Sequence, residues 1–323
     1  MEFSLSGIGS KKREAEEKEV KLLILGTGPA GMAAALYAAR AELEPVVLTG
    51  MQLGGQAALT NTIENYPGFP EGVGGTELGD LFQKQAEHFG AKVEFGSATS
   101  VDLSSKPLIV TTDSGTNYKA GSLIIATGAQ SNHLNVPGEK ELTGRGVSYC
   151  GTCDGWFFKN KDILVVGGGD SAVEEAVFLT RFANSVTIVH RRDELRAGAI
   201  LQKRAKENPK IKFFWNTVVT EIKGEDAVNS VILKDVTSGE TRQHKTDGVF
   251  VFVGHTPNSS LFKGQLEIDA SGCIVVDRLM QTTVPGVFAA GEVADPHFRQ
   301  VVTSAGMGAA AAIQATRYLE AED

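Results

Sequence analysis

The chain has 323 residues, 42% of them hydrophobic and 22% charged, with a formal net charge of −8. That length suits about two domains, the hydrophobic content excludes disorder, and the lack of a Gly-x-x repeat excludes collagen. A negative balance without a basic stripe argues against a nucleic-acid partner, and no apolar run reaches the ~20 residues that a membrane span needs.

Three cysteines are too few for a disulfide-stapled secreted fold, and the N-terminus lacks a charged leader followed by an apolar core. The expectation is therefore a cytoplasmic chain. Ser10–Glu19 is a mixed charge run, read together with everything before it as a mobile, solvated arm over residues 1–19. The continuous apolar run VKLLILG from Val20 then reads as a buried parallel strand. A glycine turn, the alanine-rich helix MAAALYAAR and the strand PVVLTG follow, which makes a βαβ unit.

The turn is Gly26-Thr27-Gly28-Pro29-Ala30-Gly31. In a GxGxxG loop the first glycine makes the tight turn, the second admits a pyrophosphate, and the third brings the helix close to the strand. The helix N-terminus then adds partial positive charge. Alone the pattern is weak; between a strand and a helix it marks a nucleotide site. The next strand ends in Leu48-Thr49-Gly50 rather than in the acidic residue that holds a ribose 2′-hydroxyl. A simple NAD site is disfavoured there, and the following MQLGGQ segment is expected to wrap the ligand.

Downstream comes Cys150-Gly151-Thr152-Cys153-Asp154. Two thiols at this spacing close a small disulfide ring, and the motif favours a lowered thiolate pKa in one of them. Zinc would need two further N or S ligands, and no second CxxC or HxxxH supplies them, so no metal is expected. Asp154 is placed to exchange protons with a thiolate, although an aspartate before Gly155 also suits a turn or cap. The run Trp156-Phe157-Phe158 is read as core rather than docking surface, and Cys273 as a buried structural cysteine.

The βαβ grammar then returns: strand Asp162–Val166, the turn Gly167-Gly168-Gly169-Asp170-Ser171-Ala172, the helix SAVEEAVFLTRF and the strand SVTIVH. This strand ends in His190-Arg191-Arg192, with Arg196 beyond. Arginines here select the 2′-phosphate of NADPH through charge-assisted, often bidentate bonds, where an acid would select NAD. The expected fold is α/β, with two Rossmann-like dinucleotide-binding domains, the second inserted in the first. Residues 20–130 and 257–323 form the first domain and 131–256 the insertion. The closing GVFAAGEVAD and its small-residue helix return to the first domain, and the helix start at Thr303–Gly308 lets backbone approach a planar ligand.

In order, GTGPAG, GGQ, ENYPG, ATG, CGTCDG, GGGDSAVEEA, HRRDELRA, GHTPN, GVFAAGEV and RQVVTSAGMGAAAA resemble the low-molecular-weight thioredoxin reductases, from about Val20 to Leu319. The resemblance implies a homodimeric NADPH- and FAD-dependent enzyme that reduces the disulfide of thioredoxin. It implies FAD contacts from Gly26, Gly28, Pro29, Ala30, Gly31, Gly54, Gly55, Gln56, Asn65, Ala126, Gly128, Gly291, Glu292, Arg299, Gln300 and Val301. Gly167, Gly169, Asp170, Ser171, Ala172, His190, Arg191, Arg192 and Arg196 would hold NADPH, and Cys150, Cys153 and Asp154 would carry the disulfide chemistry; which cysteine faces the flavin stays open, the position beside Asp154 favouring Cys153. Glu292 departs from the family's aspartate. The resemblance further implies that the inserted domain rotates, with Ala129–Pro137 and Gly254–Asn258 as hinges. Two alternatives stay open: a related NADPH-dependent flavin disulfide reductase serving another thioredoxin-like or peroxidase-system acceptor, and a flavin-binding redox sensor without turnover.

Overall fold

The structure, a computed structural model, describes residues 16–50, 52–59, 63 and 65–322. Most of the expected N-terminal arm lies outside the described residues. The chain divides into two compact units. One comprises the residues up to Gly55, Gly79–Gly128 and those from Ser259 onward; the other comprises Gln56–Leu78 and Ala129–Asn258.

The first unit opens with β1 (Glu17–Leu25), α1 (Pro29–Arg40), β2 (Val46–Leu48), α2 (Gly75–His88, which runs in from the neighbouring segment), β3 (Lys92–Glu94), β4 (Ala98–Asp102), β5 (Leu108–Thr112) and β6 (Asn117–Ile125). The sheet order is β3-β2-β1-β6-β5-β4, with β1, β2, β3 and β6 parallel and the β4–β5–β6 ribbon antiparallel. β1 starts at Glu17, before the expected Val20, so residues 17–19 of the charge run are strand rather than arm. Cross-strand pairing explains this. Glu17 faces Asn117 and bonds Lys119 at 2.7 Å, while the Lys18 ammonium bonds Glu94 at 2.7 Å and lies 5.5 Å from the Tyr118 ring centroid.

Alternation along β1 separates two cores. Leu22 and Ile24 pack with the alanines of α1, and Leu23 and Leu25 pack on the opposite face with Phe262, Leu266 and Ile274. A strand buried on both faces needs an uninterrupted apolar run, which is what LLIL supplies.

The second unit contains β7 (Ala129–Ser131), β8 (Val147–Ser148), α3 (Gly151–Asp154), β9 (Asp162–Val166), α4 (Asp170–Leu179), β10 (Ser185–Val189), α5 (Ala199–Glu207), β11 (Ile211–Phe214), β12 (Thr217–Gly224), β13 (Val228–Asp235), β14 (Thr241–Lys245), β15 (Gly248–Val251) and β16 (His255–Pro257). A parallel sheet runs β11-β10-β9-β15-β8, and β12-β13-β14 form an antiparallel one. Ile163 and Val165 face a cluster that includes Val173 and Ala176 of α4. Leu164 and Val166 face a second cluster with Val219, Val231 and Leu233 of the antiparallel sheet. The two segments expected as hinges meet as a ladder, with β7 antiparallel to β16.

The chain closes on the first unit with β17 (Val287–Ala289), parallel to β6, and α6 (Val301–Glu322). Both units are thus α/β with parallel sheets, as the glycine-turn pattern implies. α6 lies against α1 because glycine permits it: a methyl placed on Gly308 would come 2.0 Å from the Ala30 carbonyl oxygen. Gly308→Ala must therefore force the helices apart. We expect a loss of ~3 kcal/mol, read as a fall in the thermal midpoint; an unchanged midpoint would mean that the helices separate freely.

Candidate functional site

The first glycine turn sits where β1 gives way to α1. Gly26 has φ +110°, and a methyl there would come 2.4 Å from the Ala126 carbonyl oxygen. A methyl on Gly31 would lie 1.8 Å from the Gly26 carbonyl oxygen, so only glycine lets α1 fold back on its own turn. Gly28 caps α1 with no side-chain hydrogen bond, and Pro29 follows, leaving the first N–H groups of the helix open to a ligand. Gly55 backs onto Gly28, where a methyl would come 2.9 Å from its Cα. The Thr27 hydroxyl bonds the carbonyls of Thr49 and Gln52, each at 3.3 Å, which ties the MQLGG segment to the turn.

Gly291 joins the same cluster, 2.9 Å from the Ala30 Cβ by the same measure, and Gly128, at φ +69°, ends the ATG segment that Ala126 begins. Beyond Gly291, burial pushes the Glu292 carboxyl above the usual carboxylate range, Arg299 opposing and Asp295 reinforcing. Asp295, 5% exposed, escaped the sequence reading. Its carboxylate accepts the N–H groups of His297 at 2.8 Å, Phe298 at 3.0 Å and Arg299 at 3.1 Å. This holds Arg299 at φ +52° and delivers Gln300 and Val301 to the start of α6. An aspartate before proline is the signal that could have found it. Of the expected first-site residues, Gln56 and Asn65 are exposed and fall in the second unit.

The second glycine turn is built the same way between β9 and α4. Gly167 has φ +151°, and a methyl there would come 2.4 Å from the Phe252 carbonyl oxygen. The 190–198 loop is stitched onto this turn. The Arg196 and Ala197 N–H groups donate to the Gly168 carbonyl at 2.7 and 3.2 Å, and the Gly198 N–H donates to the Asp170 carboxylate at 2.7 Å. The His190 ring covers Gly168, whose Cβ position lies 2.3 Å from Nδ1. Burial, helped by Arg196, Arg192 and Arg191, pushes the His190 pKa below its usual value, so the ring is neutral, and its buried Nε2 has no protein partner. Arg191, Arg192, Arg196 and Ser171 are exposed and Ala172 is buried; Arg196 reaches to 3.9 Å from the Gly169 Cβ position, and all three arginines act on the His190 ring.

The cysteine motif occupies α3, with Cys150 disulfide-bonded and Cys273 free and buried. The Cys150 N–H donates to the Ser148 hydroxyl at 3.1 Å, and that hydroxyl donates to the Asp154 carboxylate at 2.7 Å. Burial pushes the Asp154 carboxyl up, the Ser148 bond opposing. The reading of the following aromatic run as core needs correction: Phe158 is 7% exposed, but Trp156 and Phe157 are 63% and 47% exposed. The short helical turn after Asp154 points one ring inward and leaves its neighbours outside. Among the described residues no cluster of His, Cys, Asp and Glu could hold a metal, and no helix is long and apolar enough to cross a membrane.

The family model described as pyridine nucleotide-disulphide oxidoreductase matches residues 20–308. The chain is 50% identical to a thioredoxin reductase of Streptomyces clavuligerus over 302 residues, covering 93% of this chain and 94% of that protein. It is 49% identical to a thioredoxin reductase of Mycolicibacterium smegmatis, covering 94% and 97%. The crystal structure of thioredoxin reductase from Streptococcus pyogenes superposes with a TM-score of 0.84 at 45% identity, covering 94% of this chain and 99% of that one.

Proposed function

The chain belongs to the pyridine nucleotide-disulphide oxidoreductase family, and from that premise we propose that it reduces the disulfide of thioredoxin with NADPH, through FAD and a Cys150–Cys153 disulfide. The observation that carries this reading is the pairing, within one unit, of a disulfide-bonded cysteine beside a raised carboxyl with a glycine turn covered by His190 and followed by three exposed arginines.

FAD would lie on the Gly26–Gly31 turn, with the open N–H groups of α1 at its pyrophosphate and Gly291, Glu292 and the Arg299–Val301 segment beside it. When bound it relays the two electrons of a hydride. The backbone fits such a ligand: Gly26 and Gly31 let the turn close tightly on its own backbone, and at Gly28 the nearest atom to a Cβ position is the Gly55 Cα at 3.9 Å, so the turn carries no side chain where a ligand would approach. On the second turn, Arg191, Arg192 and Arg196 would bind the 2′-phosphate, and the unpartnered His190 Nε2 is a polar atom left for the nucleotide. Asp154 would hold the proton that a departing thiolate takes up. The 2.7 Å bond from Ser148 keeps its carboxyl beside the CGTC turn. The proposed enzyme is cytoplasmic and homodimeric, and its second unit swings on the paired β7 and β16 connections.

The test is NADPH oxidation with oxidised thioredoxin as acceptor, run beside NADH. Fast turnover with NADPH alone supports the reading, and flavin reduction without thioredoxin turnover moves the acceptor to another disulfide protein. Asp154→Asn is expected to slow thioredoxin reduction roughly 10²-fold. Because burial raises the Asp154 pKa, the wild-type rate should fall as pH rises through that raised value and the acid is lost. The variant should lack this limb. A pH–rate profile unchanged in shape would remove Asp154 from proton transfer.

A further inference from the structure

Of the described buried side-chain oxygens, one carboxylate atom has no hydrogen-bond partner: Oε2 of Glu175. Glu175 lies on α4, behind the CGTC turn. A methyl on Gly151 would come 2.2 Å from this oxygen and 3.5 Å from Leu179, so the carboxyl lies against the glycine between Cys150 and Thr152. Gly155 packs on the same helix, with a Cβ position 2.8 Å from Leu179. α3 and the turn that follows it are thus seated on α4 through Gly151 and Gly155, with the Glu175 carboxyl at the first. Leaving a buried carboxylate oxygen unpaired is costly, and an apolar residue here would pack without that cost.

Burial, with Glu174 adding to it, pushes the Glu175 carboxyl up to about 7, where it gains and loses a proton near neutrality. The charged group that acts on it is Glu174 on its own helix, and the segment that carries Cys150, Cys153 and Asp154 meets it through Gly151. Asp154 already has a partner in Ser148; Glu175 Oε2 has none.

We infer that Glu175 is the proton-holding partner of the CGTC dithiol, taking up one of the two protons that accompany disulfide reduction so that one sulfur stands as thiolate. This deepens the proposed function and rests on reading Cys150–Cys153 as the redox disulfide. The step balances. The S–S bond breaks on accepting two electrons, supplied in turnover by the reduced pyridine nucleotide and, in the test, by an added dithiol that closes to its own disulfide. Of the two protons released by that dithiol, one goes to a cysteine sulfur and the other to the Glu175 carboxylate; the second cysteine sulfur remains as thiolate. An ionised Glu175 opposes the thiolate by like-charge repulsion, and a protonated one permits it.

The experiment titrates the thiolate absorbance of the reduced, flavin-loaded protein against pH in wild type, Glu175→Gln and Glu175→Asp. In wild type the thiol and carboxyl share a shallow, coupled curve. In Glu175→Gln the first thiol should ionise in a single step about one unit lower, because the opposing charge is gone. Glu175→Asp restores a carboxylate and should move the curve back toward wild type, which a merely structural role would not do. Superimposable curves for wild type and Glu175→Gln would overturn the inference. If the variants do not fold, infrared difference spectra of wild type labelled with carbon-13 glutamate decide it. A glutamic-acid carboxyl band should grow on reduction above neutral pH, and its absence overturns the proposal. Because the readout is thiol ionisation and not turnover, a protein that fails to reduce thioredoxin but shows the coupled curve would refute the acceptor and leave Glu175 in place.

Discussion

Cys150→Ser is expected to lower thioredoxin reduction by roughly 10³-fold or more while leaving reduction of the bound flavin by NADPH intact. Serine cannot form a sulfur–sulfur bond, and no other dithiol can take over. The chain has only three cysteines. Cys273 is 3% exposed and belongs to the first unit, and burial pushes its thiol up while the sulfur lies 3.8 Å from the Glu292 carbonyl oxygen. A buried thiol with a raised pKa is a poor nucleophile. The two halves of the reaction should therefore separate. Rapid mixing with NADPH should still bleach the flavin, and thiol release from thioredoxin should vanish. Thioredoxin reduction by Cys150→Ser at more than a tenth of the wild-type rate would place the electron exit elsewhere.

The double substitution Arg191→Ala with Arg192→Ala is expected to raise the KM for NADPH about 10²-fold and to leave that for NADH nearly unchanged. Charge-assisted hydrogen bonds to a phosphate contribute about 1.5–3 kcal/mol each, so losing two costs about 3 kcal/mol or more, and each 1.4 kcal/mol is tenfold. Neither guanidinium is buried, so its removal leaves no cavity and should not disturb the fold. Arg196 differs, because its backbone N–H is the 2.7 Å tie to Gly168, and that tie survives loss of the side chain. His190 adds no charge near neutrality, since burial holds its ring neutral, so the preference for NADPH should vary little from pH 7 upward. Equal losses for NADPH and NADH would show that the arginines serve the whole nucleotide rather than its 2′-phosphate.

Much of this architecture can be read locally. A fully buried parallel strand needs a continuous apolar run, and a strand-to-helix turn with positive φ needs glycine. LLIL before Gly26 and ILVV before Gly167 therefore announce both βαβ units within a few residues. The CxxC spacing and the arginines after β10 are equally local. The misread positions are those whose environment comes from far along the chain. β1 begins at Glu17 because Lys119 and Glu94, on other strands, pair with its first residues. Trp156 and Phe157 are exposed while Phe158 is buried against Phe250, a distinction no three-residue aromatic run carries. Asp295 acquires its role from three N–H groups that a loop gathers around it, and Glu175 from a glycine 24 positions earlier. Periodicity and turn chemistry are properties of neighbouring residues and survive in the sequence as pattern. Burial, an unpaired carboxylate and a shifted pKa depend on which distant segments pack together, and packing creates them only once the chain has folded.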